Sequence, residues 1–452
     1  MALMQKFIIF LIIGVWGLTS LASSHAKDKA DSIDEIMDSS LKFIAAEQTT
    51  KNDGIYVPGE WPTHLYSTLV PILVGVGKPF GHDQEPTDFT TGSVVNQLAA
   101  IYLDHPHLKQ IPHLIAKAVP SFQRYREGDM YNFYPPRMWK GVRVHQPADM
   151  TLGGIWKGFT NVPQDADTSS IVYTALYYNS VIQKKAFALP EDAKASFAAY
   201  RDVARRPYFY NKGEDQADTG AFLTWQFNEK SATMPHFWFA DPKKGVRIPF
   251  NRNDVDCVVN LNVLRMLALT QNKDLPGHDE ACAALNTMID KDQQYTCGIY
   301  YPNTFNLAYS SANVHHAGDN CMEKNQDKMV EFIMKEQTAD GGWYNDENVW
   351  KDDRIQSTAF ALNALAEYGD ISDIRVQDSL KYGVSFLLRN MQTSKQGHLY
   401  WQGEVFFTAI AIARSLVVWK SNSYTTAVAM SAVLKVQHLL PQYNLDYYLH
   451  LN

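Results

Sequence analysis

Residues 328–343 place the strongest constraint on how this chain can fold. An apolar helical face around Phe332 and Ile333 leads to Gln337. An Asp-Gly-Gly turn and then Trp343 follow directly. A glutamine at this point can hydrogen-bond the groups that the end of a helix leaves open, and a tryptophan can cover the junction. The stretch therefore predicts a helix whose end is fixed against a neighbouring element.

Three weaker versions of this element occur elsewhere in the chain. Apolar helical runs lead to Gln48, to Gln123 and to Gln392, and each glutamine is followed by a turn that contains glycine. Repetition at irregular spacing indicates an array of helical hairpins. We interpret these segments as the outer helices of a closed ring rather than of an open solenoid.

A second recurring unit predicts the partner helices of the hairpins. An acidic residue followed by small or β-branched residues precedes an apolar run at helical spacing. Small residues let the inner helices of a ring pack closely, and carboxylates there can cap helix N-termini. If all these helices start at one face, their carboxylates converge on one mouth. The units begin at Asp88, Asp167, Asp218, Asp256, Asp353 and Glu404.

The two units together resemble squalene and oxidosqualene cyclases, whose Gln-Trp motif the segment from Gln337 to Trp343 matches. The resemblance to these terpenoid-cyclase and prenyltransferase toroids implies an all-α fold, an α/α toroid of about six helical hairpins. Strand patterns are weak throughout. Irregular segments at about 125–165 and 205–255 are expected as loop insertions over the mouth. We predict one toroidal domain over residues 27–452.

Residues 1–26 are predicted to be a signal peptide. Lys6 precedes an apolar run over residues 7–18, and Ser24 and Ala26 supply small residues for cleavage. The mature protein is therefore expected in the periplasm or outside the cell. Four cysteines permit two disulfides in such a compartment, and the sequence leaves the pairing open. They are Cys257, Cys282, Cys297 and Cys321.

Composition narrows the class of partner. The net charge of −7 argues against nucleic acid. Aromatic residues make up 12% of the chain, which suits either a cavity lined by rings or an aromatic-rich core. No cysteine or histidine spacing predicts a metal site, and no cofactor motif occurs. An apolar small molecule or a glycan is the expected partner, and peripheral contact with a membrane stays open.

The order Asp254-Val255-Asp256-Cys257 is the pattern that most suggests chemistry. It resembles the Asp-x-Asp-Asp motif of squalene-hopene cyclases and the Asp-Cys-Thr motif of oxidosqualene cyclases, although Val258 and Val259 depart from both. The resemblance implies Asp256 as the general acid, Asp254 as its neighbour and Cys257 as a hydrogen-bonding partner. A carboxyl group beside a second one can stay protonated and so protonate an alkene or epoxide.

A second acid or base candidate is the pair Asp165 and Asp167, at the start of another inner helix. Aromatic side chains near the predicted helix mouths are candidates for the lining of a cavity, where their faces would stabilise a carbocation. These residues are Trp225, Phe222, Trp238, Tyr300, Tyr301 and Trp401.

Three functions fit these features. The first is an exported terpenoid-cyclase-like enzyme, an acid-initiated cyclase or isomerase of an isoprenoid or related apolar substrate. The second is a secreted glycosidase or polysaccharide lyase on the same ring, in which two carboxylates do acid and base work. The third is a binding protein without turnover. A deep apolar cavity would favour the cyclase or isomerase. An open groove with two carboxylates would favour the glycosidase or lyase. A filled cavity whose helix caps are bound to backbone amides would favour the binding protein.

Overall fold

Twelve α-helices alternate between outer and inner positions in the part of the chain that the structure describes. The computed structural model describes residues 32–67, 82–139, 141–147, 161–203, 218–227, 253–293, 297–345, 353–409, 417–443 and 445. In chain order the helices are α1 (Ile33–Glu47), α2 (Asp88–Asp104), α3 (Ile111–Ala118), α4 (Ala166–Ile182), α5 (Glu191–Ala199), α6 (Cys257–Leu269), α7 (His278–Asp290), α8 (Asn306–His316), α9 (Gln326–Lys335), α10 (Ile355–Tyr368), α11 (Ile374–Arg389) and α12 (Asn422–Leu439).

The even-numbered helices form a closed ring. Helix α2 packs on α4, and contacts then run through α6, α8, α10 and α12 before returning to α2. Close packing explains the small residues in these helices. A Cβ added at Gly92 of α2 would lie 2.8 Å from the Cγ2 atom of Ile171 in α4. The predicted α/α toroid is thus confirmed.

The inner helices run in the same direction. Thr425 and Ser431 of α12 donate hydrogen bonds to the side-chain carbonyls of Gln356 and Asn363 of α10, at 2.5 and 2.9 Å. The order of the partners is the same along both helices. The N-terminal ends of the inner helices therefore meet at one face of the ring, which we call the mouth.

Trp343 fixes an outer helix to an inner helix with both of its N–H groups. Its indole N–H donates to the carbonyl of Ile333 at 2.7 Å, and its backbone N–H donates to Oγ1 of Thr358 at 3.1 Å. Gln337 adds two bonds of 2.9 Å from its amide to the carbonyls of Gly341 and Ser379. Helix α9 is thereby joined to α10 and α11.

Trp61 and Trp401 repeat this arrangement, and we call the three sites tryptophan junctions. Their indole N–H groups donate to the carbonyls of Ile44 and Leu387, both at 2.8 Å. Their backbone N–H groups donate to threonine hydroxyls at the starts of α2 and α12. Trp61 did not stand out in the sequence because a longer loop separates it from Gln48. All three indoles are fully buried.

Two of the six predicted inner-helix starts are wrong. Asp218 begins an irregular segment over residues 218–227, and the residues after Glu404 form a strand. The two inner helices that the pattern missed, α8 and α12, begin without an acidic cap. In α12 the hydroxyl of Ser421 accepts the capping hydrogen bond from Tyr424 N–H.

Short strands lie beside the helical ring. They are β1 (His64–Ser67), β2 (His82–Gln84), β3 (Arg126–Glu127), β4 (Met130–Tyr131), β5 (Pro136–Trp139), β6 (Val142–His145), β7 (Gln392–Thr393), β8 (Leu399–Tyr400), β9 (Val405–Thr408) and β10 (Val417–Lys420). Four of them form an antiparallel sheet in the order β2-β1-β10-β9. The pairing of β1 with β10, in which His64 lies opposite Lys420, joins the early and late parts of the chain.

The segment from 126 to 147 partly fulfils the prediction of loops over the mouth. It contains the hairpins β3–β4 and β5–β6, and the backbone N–H of Tyr131 in β4 donates to Ser169 at the start of α4. Most of the other predicted loop, residues 205–255, and the predicted signal peptide, residues 1–26, lie outside the described residues. None of the described helices is both long enough and apolar enough to cross a bilayer.

Candidate functional site

Asp256 acts as the N-terminal cap of α6. Its Oδ1 atom accepts hydrogen bonds from the backbone N–H groups of Val258 at 2.7 Å and Val259 at 3.1 Å. Its Oδ2 atom accepts the backbone N–H of Tyr300 at 2.8 Å. Hydrogen bonds donated to both oxygens stabilise a carboxylate in its ionised form. This geometry is that of a helix cap.

The structure brings Asp254, Tyr300 and Trp225 together. Asp254 accepts the hydroxyl of Thr224 at 2.5 Å and the hydroxyl of Tyr300 at 2.7 Å. The Tyr300 oxygen in turn accepts the indole N–H of Trp225 at 2.8 Å. Three residues that the sequence singled out thus form one hydrogen-bonded chain, which positions Tyr300 beside the first turn of α6.

Two disulfides resolve the pairing that the sequence left open. Cys257 is bonded to Cys297, and Cys282 is bonded to Cys321, with Cα separations of 5.4 and 5.6 Å. A disulfide sulfur carries no hydrogen to donate. The hydrogen-bonding role that the resemblance implied for a Cys257 thiol beside Asp256 therefore does not apply to this chain.

Two of the aromatic candidates lie in the wall of the ring rather than at its centre. Phe222 packs edge-on against Phe197 of α5 at 6.3 Å, and a Cβ at Gly277 would lie 2.6 Å from its ring. Trp401 belongs to a tryptophan junction. Both are fully buried among outer elements. Trp238, a third candidate, lies outside the described residues.

Asp165 and Asp167 differ in their partners although both are buried at the start of α4. Asp165 caps the helix, and its Oδ1 atom accepts the backbone N–H of Thr168 at 2.6 Å. Burial raises the pKa of Asp165 to about 7. Asp167 instead points across the ring, where it accepts hydrogen bonds from the hydroxyl of Tyr301 and from the amide of Asn262, the latter at 2.8 Å. Burial, reinforced by the charge of Asp165, raises the pKa of Asp167 well above its usual range.

A small polar cavity of about 30 Å³ lies at the centre of the ring beside Asp167. Sites that enclose a small molecule usually measure about 300 Å³ or more, so this space holds a few water molecules at most. Asn262 and Tyr301, the two partners of Asp167, belong to its lining. The lining residues are Phe89, Ser93, Asn96, Gln97, Ile171, Thr174, Val258, Asn262, Arg265, Tyr301, Asn306, Tyr309, Ser310, Asn313 and Tyr424.

An aromatic cluster closes the mouth above this cavity. Phe407 of β9 is its centre and is only half-buried. Ring centroids of Phe133, Phe89, Trp419, Tyr301 and Tyr300 lie 5.1 to 5.8 Å from that of Phe407. The faces of such rings carry negative potential and attract cations. Tyr301 joins the aromatic cluster to the carboxyl group of Asp167.

Sequence reasoning missed the role of Asp88. The cap of α2 is Thr87, whose hydroxyl accepts the backbone N–H of Thr90 at 3.2 Å. Asp88, the next residue, is fully buried, and neither of its carboxyl oxygens has a hydrogen-bond partner among the described residues. Burial, with the charges of Glu60 and Asp165, raises its pKa well above the usual range. Its place in the recurring unit suggested a cap, so the sequence held no signal for this state.

Arg265 is the second residue that the sequence analysis passed over. It interrupts the apolar run of α6, yet its side chain points into the ring and only 8% of the residue is exposed. One guanidinium nitrogen donates to the hydroxyl of Tyr178 at 3.2 Å. A charged residue inside an apolar helical run was the signal that could have found it. Within the described ranges, no group of three or more His, Cys, Asp or Glu side chains could hold a metal ion.

The ring and its mouth define an α/α toroid, and solved structures of the same class match it. No protein-family model and no curated protein sequence matches this chain. The type II terpene cyclase MstE from Scytonema matches with a TM-score of 0.55 and 12% identity, over 91% of this chain and 100% of that chain. A protein from Actinoplanes matches with a TM-score of 0.52 and 12% identity, over 90% of this chain and 99% of that chain.

An unsaturated glucuronyl hydrolase specific for heparin gives a TM-score of 0.48 and 12% identity, over 91% of this chain and 98% of that chain. At 12% identity, the likeness to MstE and to the Actinoplanes protein shows a shared fold and nothing more. The chain therefore has the terpene-cyclase-like toroid fold, and its function has to be argued from its own residues.

Proposed function

We propose that this protein is an acid-initiated cyclase or isomerase of an isoprenoid or a related apolar molecule, with Asp167 as the general acid. The observation that carries the proposal is the position of Asp167. Its carboxyl group is buried, has a raised pKa, and is hydrogen-bonded to Tyr301 of the aromatic cluster. MstE, which has the same fold, binds geranylgeranyl dihydroxybenzoate as its substrate. That likeness supports a prenyl substrate.

The proposed step transfers the carboxyl proton of Asp167 to a carbon–carbon double bond. The O–H bond breaks, a C–H bond forms from the π electrons, and a carbocation remains on the substrate. The hydroxyl of Tyr301 and the amide of Asn262 stabilise the carboxylate that forms. Aromatic faces at the mouth stabilise the cation. The final cation loses a proton to water, and water reprotonates the carboxylate of Asp167, so the enzyme returns to its starting charge.

Asp167 fits this role better than Asp256, the acid that the resemblance implied. Both oxygens of Asp256 accept backbone N–H groups, whereas Asp167 receives only side-chain donors that can rearrange. Substrate binding in this proposal requires Phe407 to leave the mouth and the side chains around the cavity to move apart, because the cavity measures only about 30 Å³.

A binding protein without turnover is the second candidate. It is supported by the small cavity and by the backbone-bound cap at Asp256. The carbohydrate-active alternative stays a prediction without a supporting contact in the described part of the chain.

The experiment compares Asp167→Asn with the matched variant Asp256→Asn on geranylgeranyl dihydroxybenzoate as the probe, with isomeric products detected by liquid chromatography and mass spectrometry. We expect Asp167→Asn to lower turnover by about 100-fold or more while the fold is kept. Asp256→Asn should retain turnover but lose about 1 to 3 kcal/mol of stability, since its amide cannot accept the Tyr300 N–H.

The opposite pattern, with turnover lost only in Asp256→Asn, would assign the acid to Asp256. Binding of the probe by the unaltered protein without any isomeric product would establish the second candidate. In D₂O, acid-initiated turnover adds one deuteron to each product molecule, which separates it from rearrangements that start without a proton.

We also propose export, with cleavage after Ala26. The predicted signal peptide over residues 1–26 and the two disulfides support an oxidising compartment. The intact mass of the protein purified from the periplasm or medium tests this, because the mature chain should begin at Lys27. A mature protein that retains residues 1–26 would contradict cleavage there.

A further inference from the structure

Among the residues that the structure describes, Arg265 is a buried cation without a matching anion. Its guanidinium lies 5.6 Å from the ring centroid of Tyr178 and donates one hydrogen bond to the hydroxyl of that residue. Its Nε–H has no acceptor among the described residues, and no carboxylate of those residues forms a salt bridge with it. A buried guanidinium normally has an acceptor for each of its edges. This side chain therefore has unused donors inside the ring.

Two cavities meet at this side chain. Arg265, Gln97 and Asn313 line both the central cavity and a second cavity of about 20 Å³ on the side of the ring away from the mouth. Asn262, which contacts Asp167, precedes Arg265 by one turn of α6. The guanidinium thus lies partway along the axis of the ring, between the proposed acid Asp167 and the second cavity.

A second cation, Lys435 of α12, lines the second cavity and is partly buried, with 21% of its side chain exposed. Its ammonium lies 3.9 Å from the carboxylate of Glu367, which His315 and His316 also contact at 2.7 and 3.4 Å. Burial lowers the pKa of Lys435, because one shared carboxylate compensates poorly for the lost water. Asp104 also reaches this cavity, but its side chain is exposed at the outer edge.

We propose that Arg265 and Lys435 form a binding site for an oxyanion, the carboxylate or phosphate group of a ligand. Arginine offers two parallel N–H donors that match such groups, and the amides of Gln97 and Asn313 supply further donors nearby. The two cavities, of about 30 and 20 Å³, suit one such group rather than a whole organic molecule. The site stands on these contacts alone, whether or not Asp167 is an acid.

The test measures anion binding and not turnover. The unaltered protein is titrated with sodium acetate, inorganic phosphate and inorganic diphosphate, and each melting temperature is compared with that in sodium chloride of equal ionic strength. We expect a saturable rise with at least one oxyanion, and the preference among the three separates a carboxylate ligand from a phosphate or diphosphate.

Arg265→Met is the decisive variant, since an apolar side chain of similar volume can replace a poorly paired buried charge without loss of folding. We expect it to weaken oxyanion binding by at least about tenfold, because it removes the charged fork. Arg375→Gln, which removes one positive charge from an exposed position, should bind as the unaltered protein does.

If Arg265→Met does not fold, Arg265→Lys and Lys435→Gln decide in its place. Arg265→Lys should weaken binding because the two parallel N–H donors of the guanidinium are lost. Lys435→Gln should weaken it because a positive charge is lost. Oxyanions that stabilise the unaltered protein no more than chloride does would overturn the proposal. Equal oxyanion binding by the variant and the unaltered protein would overturn it as well.

Discussion

Asp256, Asp167 and Asp88 are buried carboxyl groups near the mouth that differ in what contacts their oxygens. Asp256 accepts three backbone N–H groups, Asp167 accepts two side-chain donors, and Asp88 has no hydrogen-bond partner among the described residues. Backbone donors stabilise a carboxylate, whereas burial raises the pKa of Asp167 and of Asp88 well above the usual range and so favours their protonated forms. Burial, set against the hydrogen bonds that each carboxyl accepts, rather than the residue type, decides which carboxyl holds a proton to donate.

Asp165 makes stability depend on pH. In the unfolded chain its carboxyl ionises near the ordinary pKa of 3.8, whereas in the folded protein it stays protonated up to about pH 7. The stability that it contributes is therefore complete below about pH 4 and is lost as the pH rises to about 7. Asp165→Asn keeps a capping oxygen but cannot ionise. Between pH 4.5 and pH 8, we expect the free energy of unfolding of this variant to rise by about 2 to 4 kcal/mol relative to that of the unaltered protein.

Urea unfolding at these two pH values measures the difference. Asp274→Asn, a change at an exposed position, serves as the control and should leave the pH profile of the unaltered protein unchanged. A parallel pH profile for Asp165→Asn and the unaltered protein would show that Asp165 is ionised in the folded state.

The tryptophan junctions are the elements that hold outer helices to inner ones. Trp343→Phe keeps an aromatic ring but removes the indole N–H and leaves the carbonyl of Ile333 without this donor. We expect a loss of about 1 to 3 kcal/mol in the free energy of unfolding. Trp61→Phe and Trp401→Phe should cost similar amounts, because their indoles make equivalent bonds.

Urea unfolding of the three variants, beside Trp139→Phe at a half-buried position of β5, checks this. Costs below about 0.5 kcal/mol would mean that ring burial alone, without the indole hydrogen bond, fixes the junction.

The packing of helix α2 on helix α4 gives a second prediction about how the helices are held together. Alanine normally stabilises a helix relative to glycine by about 1 kcal/mol. In α2, however, the Cβ of Gly92→Ala would lie 2.8 Å from Ile171, so α2 and α4 must separate. We expect a net loss of stability of about 1 kcal/mol or more, measured by thermal or urea unfolding. A gain in stability would indicate that the two helices can shift apart freely.

Local patterns allowed the ring to be predicted, and distant pairings account for what was missed. In the segment from Gln337 to Trp343, the bonds from Gln337 to Gly341 and from Trp343 to Ile333 are local, so that part of its structure follows from one stretch of sequence. Strand β9 follows an acidic residue and is apolar, which imitates the start of an inner helix. Its partner β10 comes later in the sequence, and the next partner, β1, lies near the other end of the chain.

The candidate site was predictable only in part for the same reason. The acidic residues at the starts of α4 and α6 stood out in the sequence, but their roles depend on contacts across the ring. Tyr301 follows Asp167 by 134 residues, so no local pattern could indicate their hydrogen bond. The bond between Cys257 and Cys297 likewise depends on the folded arrangement.

At the scale of the whole molecule, closure of the ring predicts that the hairpins unfold together. An open array of repeats frays from its ends, whereas each inner helix here has two neighbours. We expect native-state hydrogen exchange to give the amides of Val172 in α4 and Leu362 in α10, on opposite sides of the ring, opening free energies within about 1 kcal/mol of each other. The half-buried loop residue Ile55, which lies outside the helices, should exchange much faster.

A difference of more than about 3 kcal/mol between the amides of Val172 and Leu362 would show instead that the ring opens one hairpin at a time.

The pairing of β1 with β10 also means that β1 has to wait for this partner until most of the chain has been synthesised. The backbone N–H of Leu399 donates to the hydroxyl of Ser39, 360 residues earlier. Strand β1 likewise pairs with β10, which lies near the other end of the chain. At about 5 to 20 residues per second, a ribosome needs about 20 to 70 s to make the chain between such partners. Through that interval the nascent β1 exposes an unpaired strand edge, a surface prone to aggregation. A chaperone that shields the first segments until the last helix is complete would raise the yield of this protein.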